Sequence, residues 1–358
     1  MSRILYVDIS NRGHHRLYFK CIVQDTLKRG HQIAVAMPFK ESNSDNIEWY
    51  PVKIPERDIL KNKWYLDLLK VVDIFKPDII HYLYGDILYH VGLLASILPV
   101  KAPAETILSI HQLPLGKIKN STFKTVSRRV SKIIVHSDWL RRKLHLNGIN
   151  QCEYFPCPAM LQEYSLPQNT ARRMLDLPKE DPIYLFIGYP RGDKGLDILL
   201  KSLKILRREI PFWFVVATGG NIPSKYMKSI NNIASNKVIL RTETLSDSRF
   251  SSYIDACDTL ILPYRKEFSG ISGPMTEAIW RGKTIIGPSS SSIGEVLSNY
   301  PGGITFSVED PEDLAIILES SLYHKDSLTR DQLNYFRNLY SQENFRKLHE
   351  NLYSQLKG

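Results

Sequence analysis

Two cationic residues lie close together in a glycine-containing segment, Gly188 to Gly195. The segment follows an apolar run typical of a buried strand and precedes a stretch with helical spacing, so it predicts a turn between a strand and a helix. Glycines let backbone N–H groups approach a ligand there, and the N-terminus of the helix adds partial positive charge. Arg191 can bind a diphosphate as a planar fork and Lys194 as a point charge. The segment therefore predicts a phosphate-binding turn, and the alternative is a basic turn that holds no ligand.

A second segment of the same kind spans residues 262–278. A strand-like run ends at Leu262, a loop rich in Gly and Ser follows, and a helical pattern begins. The N–H groups of this loop and the start of the helix suit anionic oxygens. Glu277, in the first turn of that helix, has the chemistry to accept hydrogen bonds from the two hydroxyls of a ribose. The alternative is that Glu277 only complements the helix dipole.

Both segments must be positioned by strands that alternate with helices. The strand-like runs are apolar throughout, which is typical of a parallel sheet covered by helices on both faces. Helical patterns separate them, and a long charged helical tail follows from Leu328 to Leu356. The predicted strands are residues 4–9, 33–37, 79–82, 107–110 and 133–135 in the first half, and residues 183–187, 212–216, 238–240, 259–262 and 284–286 in the second.

The length of 358 residues is typical of two domains. A linker between two domains is predicted in the middle of the chain, at Phe155 to Pro158 and the polar stretch Ser165 to Asn169. We therefore predict one α/β, doubly wound domain over 1–164 and another over 165–335. A helix over 336–358 is expected to pack back toward the first domain. Domains of this kind bind ligands at the carboxyl ends of their strands, and we expect the two to face each other across a cleft.

Composition excludes several classes of protein. The chain begins with an apolar run too short for a signal peptide, and no stretch is long enough to span a membrane. Four cysteines are too few for a disulfide framework, which favours a reducing compartment, and Cys152 and Cys157 are expected to be structural. We therefore expect a cytoplasmic protein.

The formal charge of +10 is unevenly distributed, because residues 117–143 hold nine basic side chains and one acidic side chain. Such a segment can contact nucleic acid, an anionic membrane surface or a phosphorylated substrate, or it can be a solvated helix face. No nucleic-acid-binding module accompanies it, so no nucleic-acid partner is expected. We predict an anionic membrane surface as a partner and a peripheral location at the inner face of the membrane.

Several short motifs occur in an order that resembles the retaining glycosyltransferases of family 4, which have the GT-B architecture of two facing Rossmann-like domains. The resemblance covers nearly the whole chain. It is carried by Gly13-His14, Ser109-Ile110-His111, Val135-His136-Ser137, Arg191 to Gly195, Ala256-Cys257-Asp258, Leu262-Pro263-Tyr264, Glu277-Ala278 and Gly282-Lys283.

The resemblance implies roles for particular residues. Arg191 and Lys194 would hold the donor diphosphate and take up charge as the nucleotide leaves, and His111 would contact the transferred sugar near its reacting face. Glu277 would bind the ribose, and no metal or other cofactor would be needed because the cations replace it. The donor-binding residues implied in this way are Gly13, Gly188, Ser269, Gly270, Ile271, Ser272 and Glu277.

The sequence departs from the family's pattern at two positions. The family has a glutamate eight positions before Glu277, where this chain has Ser269, and that glutamate contacts the transferred sugar. Many members carry the arginine directly after the glycine, where this chain has Tyr189, while members with the spacing found here make Arg191 an acceptable substitute.

The activity expected from the residues and the resemblance together is transfer of a hexose, with retention of configuration, from a nucleoside diphosphate sugar to a hydroxyl acceptor. We expect a UDP-sugar rather than a GDP-sugar as donor, and a saccharide or lipid-linked saccharide as acceptor. The alternatives are a nucleotide-sugar epimerase or a phosphorylase of the same architecture, a protein that binds nucleic acid through the basic segment, and a non-catalytic protein that binds nucleotide sugars.

Overall fold

The chain forms two compact units in the computed structural model. One unit contains Met1–Pro156 together with Gln342–Gly358, and the other contains Cys157–Ser341. Helices and strands are numbered here in chain order within the residues that the structure describes. These are residues 1–10, 13–38, 46–53, 61–88, 104–114, 116–206, 212–233, 237–323 and 328–356.

The first unit contains a parallel sheet of seven strands in the order β3-β2-β1-β4-β5-β6-β7. The central strands are almost fully buried, as expected for a parallel sheet covered on both faces. The strands are β1 (Arg3–Val7), β2 (Gln32–Met37), β3 (Ile47–Pro51), β4 (Ile79–Tyr82), β5 (Glu105–Ile110), β6 (Lys132–Val135) and β7 (Cys152–Tyr154), and the helices are α1 (His14–Lys28), α2 (Lys61–Phe75), α3 (Lys117–Ser127), α4 (Asp138–Leu146) and α13 (Gln342–Gln355).

Helix α13 packs against α1 and covers a buried polar network of the first unit. The hydroxyl of Tyr353 lies 2.7 Å from Nδ1 of His81, and Nε2 of His81 lies 2.9 Å from the hydroxyl of Ser109. Glu350 also forms an ion pair with Arg29 of the segment that follows α1, at 3.2 Å. The helix therefore supplies hydrogen-bond partners that the buried groups of this unit require.

The second unit contains a parallel sheet of six strands in the order β10-β9-β8-β11-β12-β13. The strands are β8 (Ile183–Ile187), β9 (Trp213–Ala217), β10 (Val238–Arg241), β11 (Thr259–Ile261), β12 (Thr284–Pro288) and β13 (Gly303–Phe306). The helices are α5 (Gln168–Met174), α6 (Leu196–Ile205), α7 (Ser224–Asn231), α8 (Asp247–Ala256), α9 (Gly273–Trp280), α10 (Ser291–Asn299), α11 (Pro311–Ser320) and α12 (Arg330–Leu339). The prediction of two doubly wound, parallel α/β domains with a helix at the C-terminal end is thus confirmed.

The boundary between the units lies at Pro156, earlier than the predicted boundary at residue 164. Contacts with the second unit explain the difference. The backbone N–H groups of Met160 and Leu161 donate to Glu277, and the N–H of Leu166 donates to Asp255 at 2.9 Å. The region that the sequence predicted as a linker is therefore hydrogen-bonded to the second unit.

The predicted helical tail from Leu328 to Leu356 is two helices that belong to different units. Helix α12 packs on α9 of the second unit, whereas α13 belongs to the first. A capping box at Thr329 starts α12, and the helix ends at Leu339. The boundary predicted at residue 335 falls inside α12, and the observed boundary follows Ser341.

Candidate functional site

The two glycine-containing segments follow neighbouring strands at the centre of the second sheet. Strand β8 lies between β9 and β11, so the chain crosses over in opposite directions on its two sides. Ligands of doubly wound sheets bind outside the carboxyl ends of the strands at such a switch point. Gly188 to Gly195 follows β8 and residues 262–272 follow β11, so the structure brings both predicted segments to this place.

In the compact turn after β8, the ammonium of Lys194 lies close to Gly188, the first residue of the turn. Gly188 has a φ of 105°, and a Cβ atom there would lie 3.0 Å from Nζ of Lys194. The same ammonium lies 5.6 Å from the ring centroid of Tyr264, within the range of a cation–π interaction. Lys194 is half-buried and forms no ion pair with the residues that the structure describes. Its charge is therefore available to an anion at the strand end.

Arg191 presents its planar fork to a carboxylate of the same turn. Its Nε donates to Oδ1 of Asp193 at 3.1 Å and its Nη2 donates to Oδ2 at 2.9 Å. The side chain of Arg191 is 52% exposed, so solvent screens this pair. A bidentate arginine–carboxylate contact has the geometry that arginine also uses for phosphate. A diphosphate that binds Arg191 in this way would have to replace Asp193.

The turn is joined to the segment after β11 by backbone contact. Gly195 has a φ of 61°, and a Cβ atom there would lie 1.9 Å from the carbonyl oxygen of Pro263. Only glycine satisfies both conditions, because any other residue would collide with backbone. Arg265 adds hydrogen bonds to the turn. Its importance did not follow from the sequence, and the only signal was a cation just after the end of a strand.

The loop after β11 is held by hydroxyl groups and leads into α9. Ser272 caps the helix, because its hydroxyl accepts a hydrogen bond from the N–H of Met275, and it lies 3.0 Å from the hydroxyl of Tyr264. The hydroxyl of Ser292 donates to the carbonyl of Gly270. Ser269 and Gly270 are buried and Ile271 is half-buried. Side-chain hydrogen bonds thus hold the predicted donor-binding loop, and Ser272 caps the helix that follows it.

Glu277 has protein partners on both of its oxygens. Oε1 accepts hydrogen bonds from the N–H groups of Met160 at 2.6 Å and Leu161 at 2.9 Å, and Oε2 pairs with Arg281 at 2.6 Å. Arg281 also pairs with Asp255 at 2.6 Å, and all three charged side chains are buried. Burial raises the pKa of Glu277, while Arg281 and the two N–H groups act in the opposite direction. A ribose contact would have to use the hydrogen-bonding capacity that remains on this carboxylate.

In the first unit, His111 follows β5 and stacks on an aromatic ring. Its ring lies 3.8 Å from that of Tyr84, almost parallel, and its Nε2 donates to the carbonyl of Leu83 at 2.8 Å. Burial keeps the pKa of His111 well below its usual value, so the ring is neutral. With Nε2 as the donor, Nδ1 is a hydrogen-bond acceptor. Gly13, the other predicted residue of this unit, is exposed at the start of α1 with a φ of 54°.

Two acidic residues lie at the same end of the first sheet, and one of them, Asp8, was not singled out from the sequence. Oδ1 of Asp8, which follows β1, lies 2.7 Å from Nδ1 of His15, while its buried Oδ2 has no hydrogen-bond partner among the residues that the structure describes. Asp86 accepts hydrogen bonds from the N–H groups of His111 and Gln112, and burial raises its pKa to about 7. Among the described residues, no group of three or more His, Cys, Asp or Glu side chains is placed to hold a metal ion.

Part of the basic segment 117–143 forms ion pairs with carboxylates. Arg141 and Arg142 pair with Asp138, and Lys132 pairs with Glu153. Helix α3 instead begins with exposed Lys117 and with Ile118, whose side chain is 82% exposed. Among the residues that the structure describes, Lys117, Lys119 and Lys124 of α3 take part in none of these ion pairs. No helix in the described part of the chain has the length and apolar character of a membrane span.

Known families and structures match the chain along most of its length. The family model of glycosyl transferases group 1 matches residues 167–335, and that of glycosyl transferase 4-like proteins matches residues 3–137. No curated protein sequence matches the chain.

Among solved structures, sucrose-phosphate synthase from Thermosynechococcus elongatus is similar with a TM-score of 0.80 and 16% identity, covering 99% of each chain. HepE of Anabaena in complex with UDP-glucose has a TM-score of 0.77 and 13% identity, covering 99% of this chain and 100% of HepE. The catalytic domain of starch synthase IV from Arabidopsis thaliana, bound to ADP and acarbose, has a TM-score of 0.70 and 13% identity, covering 99% of each chain. These likenesses show the fold, and the two family models together include every strand of the two sheets except β7. The chain is therefore a glycosyltransferase of the GT-B type.

Proposed function

We propose that this glycosyltransferase moves a hexose from a nucleoside diphosphate sugar to a hydroxyl acceptor with retention of configuration, as a member of family 4. The observation that carries the proposal is the turn after β8. It places Arg191 and Lys194 at the switch point of the sheet, where a diphosphate would meet two cations and the start of α6. Charge that develops on the leaving diphosphate would then be stabilised by groups already in place.

The exchange of Asp193 for a diphosphate at Arg191 is favourable on simple electrostatic grounds. An exposed arginine–carboxylate pair contributes about 0–1 kcal/mol, because solvent screens it. A diphosphate brings more charge to the same fork and also meets Lys194, whose ammonium pairs with no carboxylate among the described residues. Donor binding thus releases a weak internal pair and forms a stronger one, and the cations replace the metal ion that other diphosphate sites use.

His111 and Glu277 carry the proposed contacts with the sugar and the ribose. Nδ1 of a neutral His111 would accept a hydrogen bond from a sugar hydroxyl, and Glu277 would accept one from the ribose. Gly13 would approach the donor phosphates. Ser269, in place of the usual glutamate, offers the sugar a hydroxyl instead of a carboxylate.

We further propose a UDP-sugar donor and a saccharide or lipid-linked saccharide acceptor. The support for UDP is that a similar fold, HepE of Anabaena, has been solved with UDP-glucose. The support for a lipid-linked acceptor is the cationic start of α3 with its exposed Ile118, which suits an anionic membrane surface. A cytoplasmic protein at the inner face of the membrane would meet such an acceptor.

Binding and turnover of nucleotides test the proposal. Because a ligand that binds only the folded state raises the melting temperature, we expect UDP to raise it more than GDP or ADP at equal concentration. Incubation with UDP-hexoses and a panel of saccharide acceptors in the presence of a chelator should yield a glycoside. Proton NMR of that glycoside should show the anomeric configuration of the donor.

Other outcomes assign the alternatives. Formation of an isomerised sugar without any glycoside would identify an epimerase, and nucleotide binding without consumption of any donor would identify a non-catalytic protein. An inverted product would remove retention from the proposal while leaving transfer in place. Loss of activity on chelation, restored by a divalent cation, would remove metal independence.

A further inference from the structure

We infer that Arg265 is a positioning residue that holds the turn after β8 in the conformation in which it meets a diphosphate. The inference rests on the proposed function and deepens it, since it explains how Arg191 and Lys194 are kept in place. Arg265 follows β11, so the residue lies outside the turn in sequence and reaches it from the neighbouring strand.

Three hydrogen bonds join Arg265 to the turn and to the helix that follows it. Its backbone N–H donates to the carbonyl of Asp193 at 2.9 Å, and its Nε donates to the carbonyl of Gly192 at 3.1 Å. Its Nη2 donates to Oδ2 of Asp197, in the first turn of α6, at 2.6 Å. One residue therefore holds both the middle of the turn and the beginning of α6.

The hydrogen bonds within the turn join residues no more than three positions apart, including the bond from the N–H of Arg191 to the carbonyl of Tyr189 at 2.9 Å and those from the Arg191 side chain to Asp193. Within it, the N–H of Lys194 donates to the carbonyl of Arg191 at 3.0 Å, and the N–H of Gly195 donates to the carbonyl of Gly192 at 3.2 Å. Bonds from a separate strand end join the turn to the neighbouring strand without occupying either cation.

Arg265 acts through the turn and is not itself placed as a phosphate ligand. Its guanidinium already donates to Gly192 and Asp197, and its Nη1 lies 3.8 Å from a carboxylate oxygen of Glu309. Two acidic neighbours make the position a poor site for a further anion. The bonds to a carbonyl and a carboxylate in different directions require a planar fork, which lysine lacks.

Variants at this position test the inference with UDP as the probe. We expect Arg265→Gln to raise the dissociation constant of UDP, measured by calorimetry, by about tenfold or more, because the cations lose their common geometry. Arg265→Lys should not restore binding. Asp197→Asn should weaken UDP binding in the same direction, and the double variant should show less than the sum of the two effects. The matched control is Arg337→Gln, which removes a hydrogen bond from an arginine side chain to the carbonyl of Trp280, the last residue of α9.

Hydrogen exchange separates this inference from the proposed function. If Arg265 holds the turn, Arg265→Gln should speed amide exchange in peptides covering residues 189–197 in the absence of any nucleotide, while Arg337→Gln should not. Unchanged exchange there together with unchanged UDP affinity would overturn the inference. Full rescue by Arg265→Lys would overturn the role of the fork. A wild-type protein that binds no nucleoside diphosphate would overturn the proposed function, and the exchange measurement would still decide the role of Arg265.

Discussion

At the scale of single residues, the charge of Lys194 is the feature on which the proposed chemistry most depends. Lys194→Ala should lower kcat by about 100- to 1,000-fold, because one preorganised group that meets developing charge contributes on the order of 3–4 kcal/mol. Arg191→Ala should act in the same way, and the two changes together should be less than additive if both side chains hold one diphosphate.

Steady-state kinetics with the preferred donor measure this effect. Lys201→Ala is the matched control, because Lys201 is an exposed lysine on α6, the helix that the turn precedes. The melting temperature of Lys194→Ala should stay near that of the control. Activity of Lys194→Ala within twofold of the control would remove the diphosphate assignment.

Glu277 combines a structural role with its proposed contact to the ribose. Glu277→Ala leaves Arg281 buried with one carboxylate fewer and leaves two N–H groups without an acceptor. Breaking a buried ion pair in this way costs about 3–5 kcal/mol of unfolding free energy. We expect chemical denaturation to show a loss of that size, together with weaker UDP binding in the protein that remains folded.

Glu277→Gln distinguishes the two roles, because glutamine keeps one acceptor oxygen while it removes the charge. A variant that loses stability yet binds UDP as tightly as the wild type would show that Glu277 serves only the buried network. The sequence predicted that this residue matters, but its partners at Met160 and Leu161 lie far away in the chain. A motif cannot show such partners.

At the scale of helices and strands, α3 is the element that the membrane proposal depends on. Reversing the exposed charges Lys117→Glu and Lys124→Glu should weaken binding to vesicles that contain anionic lipid by at least about 2 kcal/mol, since each cation near such a surface contributes about 1 kcal/mol. Lys225→Glu with Lys228→Glu, two exposed lysines on α7, is the matched control. Vesicle cosedimentation at low and raised salt measures the effect.

Salt should release the wild-type protein from the vesicles, because exposed charges are screened over about 8–10 Å at physiological ionic strength. Equal vesicle binding by both double variants would show that α3 does not bind the anionic membrane. Binding to RNA as strong as binding to anionic vesicles would leave α3 as a nonspecific cationic surface.

The sequence predicted the central strands well and the peripheral elements poorly, for a physical reason. Strands buried on both faces, such as β4 and β8, are continuous apolar runs, and their bounds of 79–82 and 183–187 agree with the structure. All four edge strands are only partly buried, and three of them, β3, β7 and β13, were missed, whereas the fourth, β10, was predicted at 238–240. Helix α11 was also missed, although Asp310 before Pro311 is a start signal that a closer search for caps would have found.

At the scale of the whole molecule, buried histidines make stability depend on pH. Burial lowers the pKa of His136 to about 4 and that of His349 to about 3, from an ordinary value of 6.5. At pH values between the folded and the unfolded pKa of each histidine, the unfolded chain binds more protons than the folded chain. The contribution of each histidine to the free energy of unfolding is therefore fully present above pH 6.5 and is lost as the pH falls below that value. Each histidine should contribute a slope of up to about 1.4 kcal/mol per pH unit.

Denaturant unfolding between pH 7 and pH 4 measures this slope for the first unit, to which both histidines belong. His349→Phe should reduce it, because one of the protonation sites is then absent, even if the variant is less stable at pH 7. An unfolding free energy that does not change between pH 6.5 and pH 4.5 would contradict the assignment of neutral, buried rings.

The membership of α13 in the first unit has a consequence for biosynthesis. Residues 157–341 form a continuous second unit, so the ribosome completes that unit before it makes the helix that supplies Tyr353 to the first. During the synthesis of residues 157–341, His81 in the first unit therefore lacks this hydrogen-bond partner. At about 5–20 residues per second this delay lasts on the order of ten seconds or more, which is ample time for a nascent segment to engage a chaperone. Nascent chains of increasing length should become protease-resistant in the second unit before they do so in the first.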